Sequence, residues 1–250
     1  MNGEYSGKNY LVVGASSGIG RSVCLELGAQ GANVILVARH KQALEETLQL
    51  MPRGKHTILP FDIADISDIE MVVTTMQTEY NHIDGLIFSA GKMGKIRLRD
   101  NTYATTHEFM QINFYPFIEF IRCLVRKKTK AQSMRVVCIS SLASVTHEKY
   151  LTAYAASKAA MEAAVRCLGT ELAAKNMTIN AVRPAFVKTE MLAEIDEITG
   201  DFNEHIKSTG YQPLGLIDPN DVAKLAIYLL SNAAKSITGA TLSINAGAVC

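Results

Sequence analysis

The chain has 250 residues, of which 48% are hydrophobic and 20% are charged, and its formal net charge is +1. This composition is ordinary for a globular protein with a sizeable core, and the near-neutral charge gives no electrostatic reason to expect nucleic acid or an anionic membrane as a partner. No uncharged apolar run reaches membrane-spanning length, and no long apolar stretch follows a basic N-terminal region. We therefore expect neither a membrane protein nor a signal peptide.

The five cysteines are scattered along the chain, and none forms a CxxC pair. An odd and dispersed set of this kind indicates reduced thiols and a cytoplasmic location. No cluster of His, Cys, Asp and Glu has convincing metal-ligand spacing, so we expect no metal site. No linker, repeat or low-complexity segment divides the chain, which predicts one domain over residues 1–250.

Strand and helix patterns alternate along the chain. Nearly continuous apolar runs between helices are typical of a parallel sheet that is covered on both faces. The sequence thus predicts an α/β fold with one Rossmann-type doubly wound sheet, and ligands beyond the carboxyl ends of its strands. In chain order we expect a strand at 9–14, a helix at 19–30, a strand at 33–38, a helix to about 50, a strand at 56–61, a helix at 66–80, a strand at 85–89, a helix at 107–127, a strand at 135–140, a helix at 154–175, a strand at 178–182, a helix at 219–231 and a strand at 240–244.

The turn after the first strand reads GASSGIG. Its glycines allow close backbone approach to a phosphate, and the helix that follows presents free N–H groups and the positive end of its dipole. The alternative is a plain glycine turn, but the position directly after the first strand favours nucleotide binding. The nucleotide-binding candidates in this turn are Gly14, Ser16, Ser17, Gly18, Ile19 and Gly20.

Tyr154 and Lys158 lie four residues apart in YAASK, and Ser141 lies thirteen residues before the tyrosine. On a helix, positions i and i+4 share one face, so the ammonium can lie near the phenol. A nearby cation lowers the pKa of a phenol from its usual value of about 10 towards the range that suits a proton donor. A YxxxK pair alone is also common on ordinary helices, where it has no catalytic role.

Taken together, these motifs resemble those of the classical short-chain dehydrogenase/reductase family, and the resemblance covers essentially the whole chain. It implies that Asn113, Ser141, Tyr154 and Lys158 are catalytic. Departures from the family pattern are Val13 for the usual Thr, Phe88-Ser89 for the two asparagines of NNAG, and Ala185 for the usual Gly, which we read as altered support for the cofactor rather than its loss. Beyond the glycine turn, the implied cofactor contacts are Asp62 and Ile63 after the third strand, Ala90 and Gly91 after the fourth, Tyr154 and Lys158 themselves, and Pro184, Val187 and Thr189 in the loop after the sixth.

The end of the second strand bears on the choice of cofactor. It reads Val37-Ala38-Arg39-His40-Lys41, without the carboxylate that commonly accepts from the ribose of NAD. Arg39 can bind a 2′-phosphate through charge-assisted hydrogen bonds, and Ser16 can add a hydroxyl contact. We therefore predict NADP(H) over NAD(H), the alternative being that Arg39 only faces solvent.

The family mechanism implies that Tyr154 donates a proton to a developing alkoxide that Ser141 also binds. Lys158 would lower the pKa of Tyr154 and bind the nicotinamide ribose, while Asn113 would anchor a water that links Lys158 to solvent. Three functions stay open: an NADPH-dependent ketoreductase like the 3-oxoacyl-carrier-protein reductases, a reductase or dehydrogenase of a sugar, polyol or other small carbonyl, and a non-catalytic NADP(H)-binding regulator. The complete catalytic set argues against the third.

The segment 190–216 is expected to overhang the carbonyl site, and loops 92–99 and 147–151 to form other walls. Basic residues in loop 92–99 could attract a phosphate or a carrier-linked substrate, although a solvated loop is the plainer interpretation. An acyl carrier protein is a candidate partner for the cations Arg126, Lys127, Lys128, Lys130 and Lys175, which could equally be ordinary surface residues at helix ends. The family commonly forms tetramers, so we expect a homo-oligomer, a tetramer or a dimer.

Overall fold

The computed structural model describes residues 3–127, 133–192, 206–207 and 209–248. Within these residues, seven strands form one parallel sheet in the order β3-β2-β1-β4-β5-β6-β7. The strands are β1 Asn9–Val13, β2 Asn33–Ala38, β3 Thr57–Pro60, β4 Gly85–Phe88, β5 Met134–Ile139, β6 Met177–Pro184 and β7 Thr241–Ile244. The helices are α1 Gly18–Ala29, α2 Lys41–Leu50, α3 Ile69–Tyr80, α4 Tyr103–Asn113, α5 Tyr115–Lys127, α6 Thr152–Glu171 and α7 Pro219–Leu230.

Both faces of the sheet are buried, and successive residues of a strand pack on opposite faces. In β1, Leu11 and Val13 join a core with side chains of α3, α5 and α6, whereas Tyr10 and Val12 join a second core with side chains of α1, α2 and α7. This explains why the strands read as continuous apolar runs, since neither face of the sheet meets water. The predicted fold class, a doubly wound parallel sheet, is confirmed.

The strand order reverses beside β1, where the chain passes from β2 and β3 on one side to β4 on the other. Loops that leave the carboxyl ends of β1 and β4 diverge to opposite faces of the sheet, and a crevice opens between them. The register sets Val13 beside Phe88, so the two strands end at the same level. The candidate functional residues that follow these strands therefore meet at one edge of the sheet.

One predicted helix, 107–127, is wrong as a single element. Helix α4 begins at Tyr103, where the Thr102 side chain accepts a hydrogen bond from the backbone N–H of Thr105, and it ends at Asn113. Phe114 leaves helical geometry, with φ −122° and ψ −55°, before α5 begins. Pro116 lacks the N–H that would continue the helical hydrogen bonds, which accounts for a break at this point.

Smaller differences occur at element ends. The helix predicted at 66–80 opens with a one-turn 3-10 helix at Ile66–Asp68, and the helix predicted at 154–175 ends at Glu171 before a 3-10 turn at Ala173–Lys175. Strand β6 is longer than its predicted core and continues to Pro184. Within the described residues, no helix has both the length and the apolar character needed to cross a bilayer.

Candidate active site

A cleft opens at the carboxyl ends of the central strands. Apolar side chains form much of its wall, among them Met93, Leu142, Leu151, Phe186 and Met191. The predicted loops 92–99 and 147–151 both contribute to it, through Lys92, Lys95 and Glu148 among others. The structure brings these predicted site residues to its lining: Ile19, Gly91, Ser141, Tyr154, Lys158, Pro184, Val187 and Thr189.

The glycine turn between β1 and α1 leaves no room for a side chain at Gly14 or Gly20. A Cβ on Gly20 would lie 1.9 Å from the carbonyl oxygen of Gly14, and a Cβ on Gly14 would lie 2.5 Å from the backbone nitrogen of Ala90. Gly14 also has φ +90° and Gly18 has φ +49°, conformations that favour glycine. The predicted tight turn is therefore present, and it touches the predicted Ala90 at the end of β4.

The N-terminus of α1 already donates to an anionic oxygen. The backbone N–H of Gly18 donates to the Glu190 carboxylate at 3.1 Å, and the same carboxylate lies 3.8 Å from the guanidinium of Arg21. Arg21 also donates to the Ser16 carbonyl at 2.5 Å and to the Thr47 hydroxyl at 3.1 Å, so its side chain ties the turn to α2. The turn thus has a backbone N–H that binds an anion, and its glycines let a ligand approach the protein backbone closely. A dinucleotide phosphate requires both features.

Tyr154 lies on the first turns of α6, and its side chain is only 7% exposed. Burial raises the pKa of its phenol, a hydrogen bond with the Ser141 hydroxyl opposes this, and the charge of Glu148 adds to the rise. We expected Lys158 to lower this pKa, but the Lys158 Nζ lies 6.0 Å from the centre of the Tyr154 ring and burial dominates. A raised pKa keeps the phenol protonated at neutral pH, and this is the form that can donate a proton.

Lys158 lies one turn further along α6 and is 4% exposed. Its Nζ donates to the carbonyl of Ile139 at the end of β5 at 2.9 Å. Burial lowers the pKa of its ammonium to about 8, while Cys138 and Glu162 act in the opposite direction. The ammonium is therefore poised to lose its proton just above neutral pH.

Asn113 is the last residue of α4 and is fully buried. Its amide donates to the Lys92 carbonyl at 3.0 Å and to the Ser157 hydroxyl at 2.9 Å, and its oxygen accepts from the Lys92 N–H at 2.7 Å. The side chain thus joins the end of α4 to the backbone of Lys92, which follows Gly91, and to Ser157, the residue before Lys158. A Cβ on Gly91 would lie 3.3 Å from both the Asn113 oxygen and the Lys158 Nζ, so these groups border the same small space.

Comparisons with known proteins agree with this arrangement. Residues 14–249 match a family model described as enoyl-(acyl carrier protein) reductase. The L-xylulose reductase of Caenorhabditis elegans is 30% identical over 248 residues, which cover 98% of this chain and 97% of that protein. The chain belongs to the short-chain dehydrogenase/reductase family. Members of this family are oxidoreductases that use a nicotinamide cofactor, and the resemblance inferred from the motifs is confirmed.

Two further relatives show how widely this family varies. A 3-oxoacyl-(acyl-carrier-protein) reductase of Chlamydia trachomatis is 29% identical over 251 residues, which cover 99% of both chains. A solved structure of a 7α-hydroxysteroid dehydrogenase, in complex with NADH and 7-oxo glycochenodeoxycholic acid, superposes with a TM-score of 0.90 at 25% identity. It covers 99% of this chain and 96% of that one. The names of these relatives differ in substrate while the architecture is shared.

In this short-chain dehydrogenase/reductase, the end of β2 forms an exposed corner. Arg39 follows the strand and borders a shallow depression with His40, Lys41 and Glu46. Glu46 lies 3.9 Å from Arg21, so its carboxylate is turned towards the glycine turn. Asp62 and Ile63 lie beyond the end of β3, away from the cleft lining, and the Asp62 carboxylate accepts from the N–H of Ala64 at 3.0 Å.

Sequence reasoning missed three residues that shape the site. Glu190 caps α1 across 172 residues of chain, and Thr47 supports the glycine turn by donating to the Ala15 carbonyl at 3.1 Å. The buried amide of Gln212 donates to the Phe186 carbonyl at 2.9 Å and accepts from its N–H at 3.1 Å, which fixes the loop after β6. No local signal marks these contacts, because each joins segments that are distant in sequence.

Some predicted features lie outside the described residues. These are residues 193–205 and 208 of the segment expected to overhang the site, and the cations Lys128 and Lys130. Within the described part of the chain, no group of three or more His, Cys, Asp and Glu side chains could hold a metal ion.

Proposed function

We propose that this protein is an NADPH-dependent reductase of a carbonyl group, with Asn113, Ser141, Tyr154 and Lys158 as its catalytic residues. The observation that carries the proposal is a buried Tyr154 that lines one cleft together with Ser141, Lys158 and Ile19 of the glycine turn. When bound, NADPH supplies the hydride. Tyr154 donates the proton to the carbonyl oxygen, and Ser141 hydrogen-bonds that oxygen and holds it in place.

Lys158 binds the nicotinamide ribose in this proposal, and its charge favours proton release from Tyr154. Asn113 fixes the backbone of Lys92 and, through Ser157, the helix turn that carries Lys158. We assign the predicted role of water anchor to the backbone of Asn113, because its side-chain amide is already hydrogen-bonded to Lys92 and Ser157. Tyr154→Phe should lower kcat by about 10²–10⁴-fold and leave NADPH affinity nearly unchanged, since only the proton donor is removed. Full turnover by this variant would refute the assignment.

The proposed preference for NADP(H) rests on the corner at the end of β2. Arg39 and Lys41 give this corner positive charge, and no carboxylate follows the strand directly. A bidentate guanidinium suits a 2′-phosphate, and its removal should cost about tenfold or more in NADPH affinity. Arg39→Ala should therefore reduce the ratio of NADPH to NADH affinity. The matched control is Arg53→Ala, which removes the same charge from an exposed position outside the corner.

The proposed substrate is a 3-oxoacyl thioester. The apolar walls of the cleft support an acyl chain, and an acyl-carrier-protein reductase is among the relatives. A sugar or polyol carbonyl is the second candidate, favoured by the Tyr211 hydroxyl that donates to Glu148 at 3.0 Å in the cleft wall and by the L-xylulose reductase relative. NADPH oxidation with acetoacetyl-CoA, L-xylulose and simple ketones separates these candidates. The absence of turnover on all of them, with intact NADPH binding, would favour a regulatory protein.

We also propose a cytoplasmic homo-oligomer, a dimer or tetramer assembled through the segments 107–127 and 154–175. The outer face of α6 exposes the small residues Ala156, Ala163 and Cys167, which permit close packing of a second helix. Analytical ultracentrifugation tests this assembly, and a monomer at micromolar concentration would contradict it. Mixing the protein with an acylated carrier protein in the same experiment tests that candidate partner.

A further inference from the structure

A buried carboxylate lies directly behind the proposed catalytic residues. Glu162 is on α6 one turn after Lys158 and two turns after Tyr154, and it is only 3% exposed. Its Oε1 atom accepts hydrogen bonds from the hydroxyls of Ser140 at 2.7 Å and Ser144 at 2.6 Å. These serines lie before and after Ser141 in the chain, so one carboxylate oxygen fixes both ends of the loop that carries Ser141.

The same carboxylate forms a bidentate pair with Arg183. The guanidinium Nε donates to Oε1 at 2.9 Å and Nη2 donates to Oε2 at 2.5 Å, and the arginine side chain is 17% exposed. Arg183 directly precedes Pro184 and Ala185, which line the cleft at the end of β6. Glu162 therefore links α6, the Ser141 loop and the loop after β6 through four hydrogen bonds.

We propose that Glu162 is a positioning residue for Ser141, Tyr154 and Lys158, and that it acts through Ser140, Ser144 and Arg183. A buried ion pair is in general weak evidence for stability, because an apolar pair of similar volume often packs as well. What an apolar pair cannot supply is a directional link between three separate walls of one cleft. The hydrogen bonds of Glu162 run to the segments that carry Ser141 and the cofactor-contacting Pro184.

The charge of Glu162 has a second consequence at Lys158. The ionisable groups that act on this lysine are Cys138 on β5 and Glu162 on α6, with the Tyr154 phenol on the same helix. The hydrogen bonds from Arg183, Ser140 and Ser144 keep the pKa of Glu162 below its usual value although burial opposes them. Glu162 is thus ionised at neutral pH, and its charge holds the pKa of Lys158 higher than burial alone would allow.

Three variants test the proposal, which rests on the proposed reductase function. Glu162→Gln keeps the shape but removes the charge, and Ser144→Ala removes one hydrogen bond while the ion pair stays. The matched control is Thr146→Val, since the Thr146 hydroxyl lies in the same loop, is buried, and has no hydrogen-bond partner among the described residues. Each variant is assayed with NADPH and acetoacetyl-CoA, or with the best carbonyl of the substrate panel. The rate is divided by the concentration of protein that binds NADPH.

Displacement of reacting groups by a fraction of an ångström should lower kcat about 10–100-fold in Glu162→Gln and about 3–10-fold in Ser144→Ala. The basic limb of the pH profile should move to lower pH in Glu162→Gln only, because only that variant removes the charge that favours the Lys158 ammonium. Thr146→Val should match wild type in both. A purely structural role would lower the melting temperature of Glu162→Gln without moving the pH limb.

An unchanged kcat and pH limb in Glu162→Gln would overturn the proposal, and if that variant does not fold, a wild-type kcat in Ser144→Ala would do so. If the wild-type protein reduces none of the carbonyl compounds, this result refutes the proposed function and leaves the role of Glu162 to a separate measurement. In that case the titration of Lys158 is followed by NMR in lysine-labelled protein, assigned with Lys158→Arg. A lower pKa in Glu162→Gln supports the role of Glu162, and an unchanged pKa overturns it.

Discussion

The glycine turn gives the sharpest steric test of the site, through the substitution Gly20→Ala. The new Cβ would lie 1.9 Å from the Gly14 carbonyl oxygen and 2.7 Å from its carbon, both of them backbone atoms. To reach 3.0 Å, below which real Cβ atoms are essentially never found, the oxygen must move at least 1.1 Å, the difference between the two distances. The turn must therefore change shape.

Gly14 has little freedom to move away. Its N–H and that of Ala15 both donate to the Val37 carbonyl, at 2.8 Å and 3.1 Å, and its other side abuts the backbone of Ala90. Overpacking of this kind costs about 1–3 kcal/mol, which lowers the melting temperature of a chain of this size by about 2–12 °C. A displacement near 1 Å should break a hydrogen bond from the turn to a phosphate, worth about 1.5–3 kcal/mol, and so weaken cofactor affinity about 10–100-fold.

The assay measures NADPH binding by fluorescence titration and thermal unfolding by calorimetry. The matched control is Gly28→Ala, the same substitution at the other end of α1, where the nearest atom is the flexible end of the Met51 side chain at 3.0 Å. Alanine favours a helix interior over glycine by about 1 kcal/mol, so the control should keep its stability and its cofactor affinity. Wild-type NADPH affinity in folded Gly20→Ala would refute the assignment of this turn as the phosphate cradle.

Three further predictions concern charge and buried polar groups. Glu190→Gln should tighten dinucleotide binding about 2–5-fold in calorimetric titration, because it removes a negative charge from the α1 N-terminus that a phosphate would occupy; weaker binding would contradict this. Lys158→Met should be more stable than wild type below pH 8, and the difference in their free energies of unfolding should narrow as the pH rises to 10.5. Between these values Lys158 is protonated in the unfolded wild-type chain but not in the folded one, so wild-type stability rises with pH. Urea unfolding across this pH range measures the difference, and a difference that widens would contradict the prediction. Asn113→Ala should lower the free energy of unfolding by about 2–3 kcal/mol in urea, since it removes three hydrogen bonds, two to the Lys92 backbone and one to the buried Ser157 hydroxyl; a loss well under 1 kcal/mol would show that water replaces the amide.

Local patterns were enough to predict the sheet and the position of the site. The strands are short runs buried on both faces, so apolar continuity located each of them to within a few residues. The glycine turn was predictable because only glycine fits the conformations of Gly14 and Gly18. The YAASK spacing correctly set Tyr154 and Lys158 on one helix at the cleft.

The rest depends on contacts between distant segments. The break after Asn113 had a local signal in Pro116, which the apolar spacing of the surrounding helix obscured. Glu190, Gln212 and Glu162 carry no such signal, since their partners lie on other elements. The burial of Tyr154, which raises the pKa of its phenol, was not predictable either, because spacing reveals a neighbouring cation but not the depth of burial.

The glycine turn and the Arg39 corner lie side by side but tolerate change very differently. Any side chain at Gly14 or Gly20 collides with backbone, whereas the side chains of Arg39 and His40 are exposed beside a surface depression. Evolutionary drift, and equally a randomised library, can therefore explore the corner freely while the turn stays fixed. On the proposed function, a few surface substitutions at this corner would change the preferred dinucleotide while the turn that holds its phosphates kept its shape.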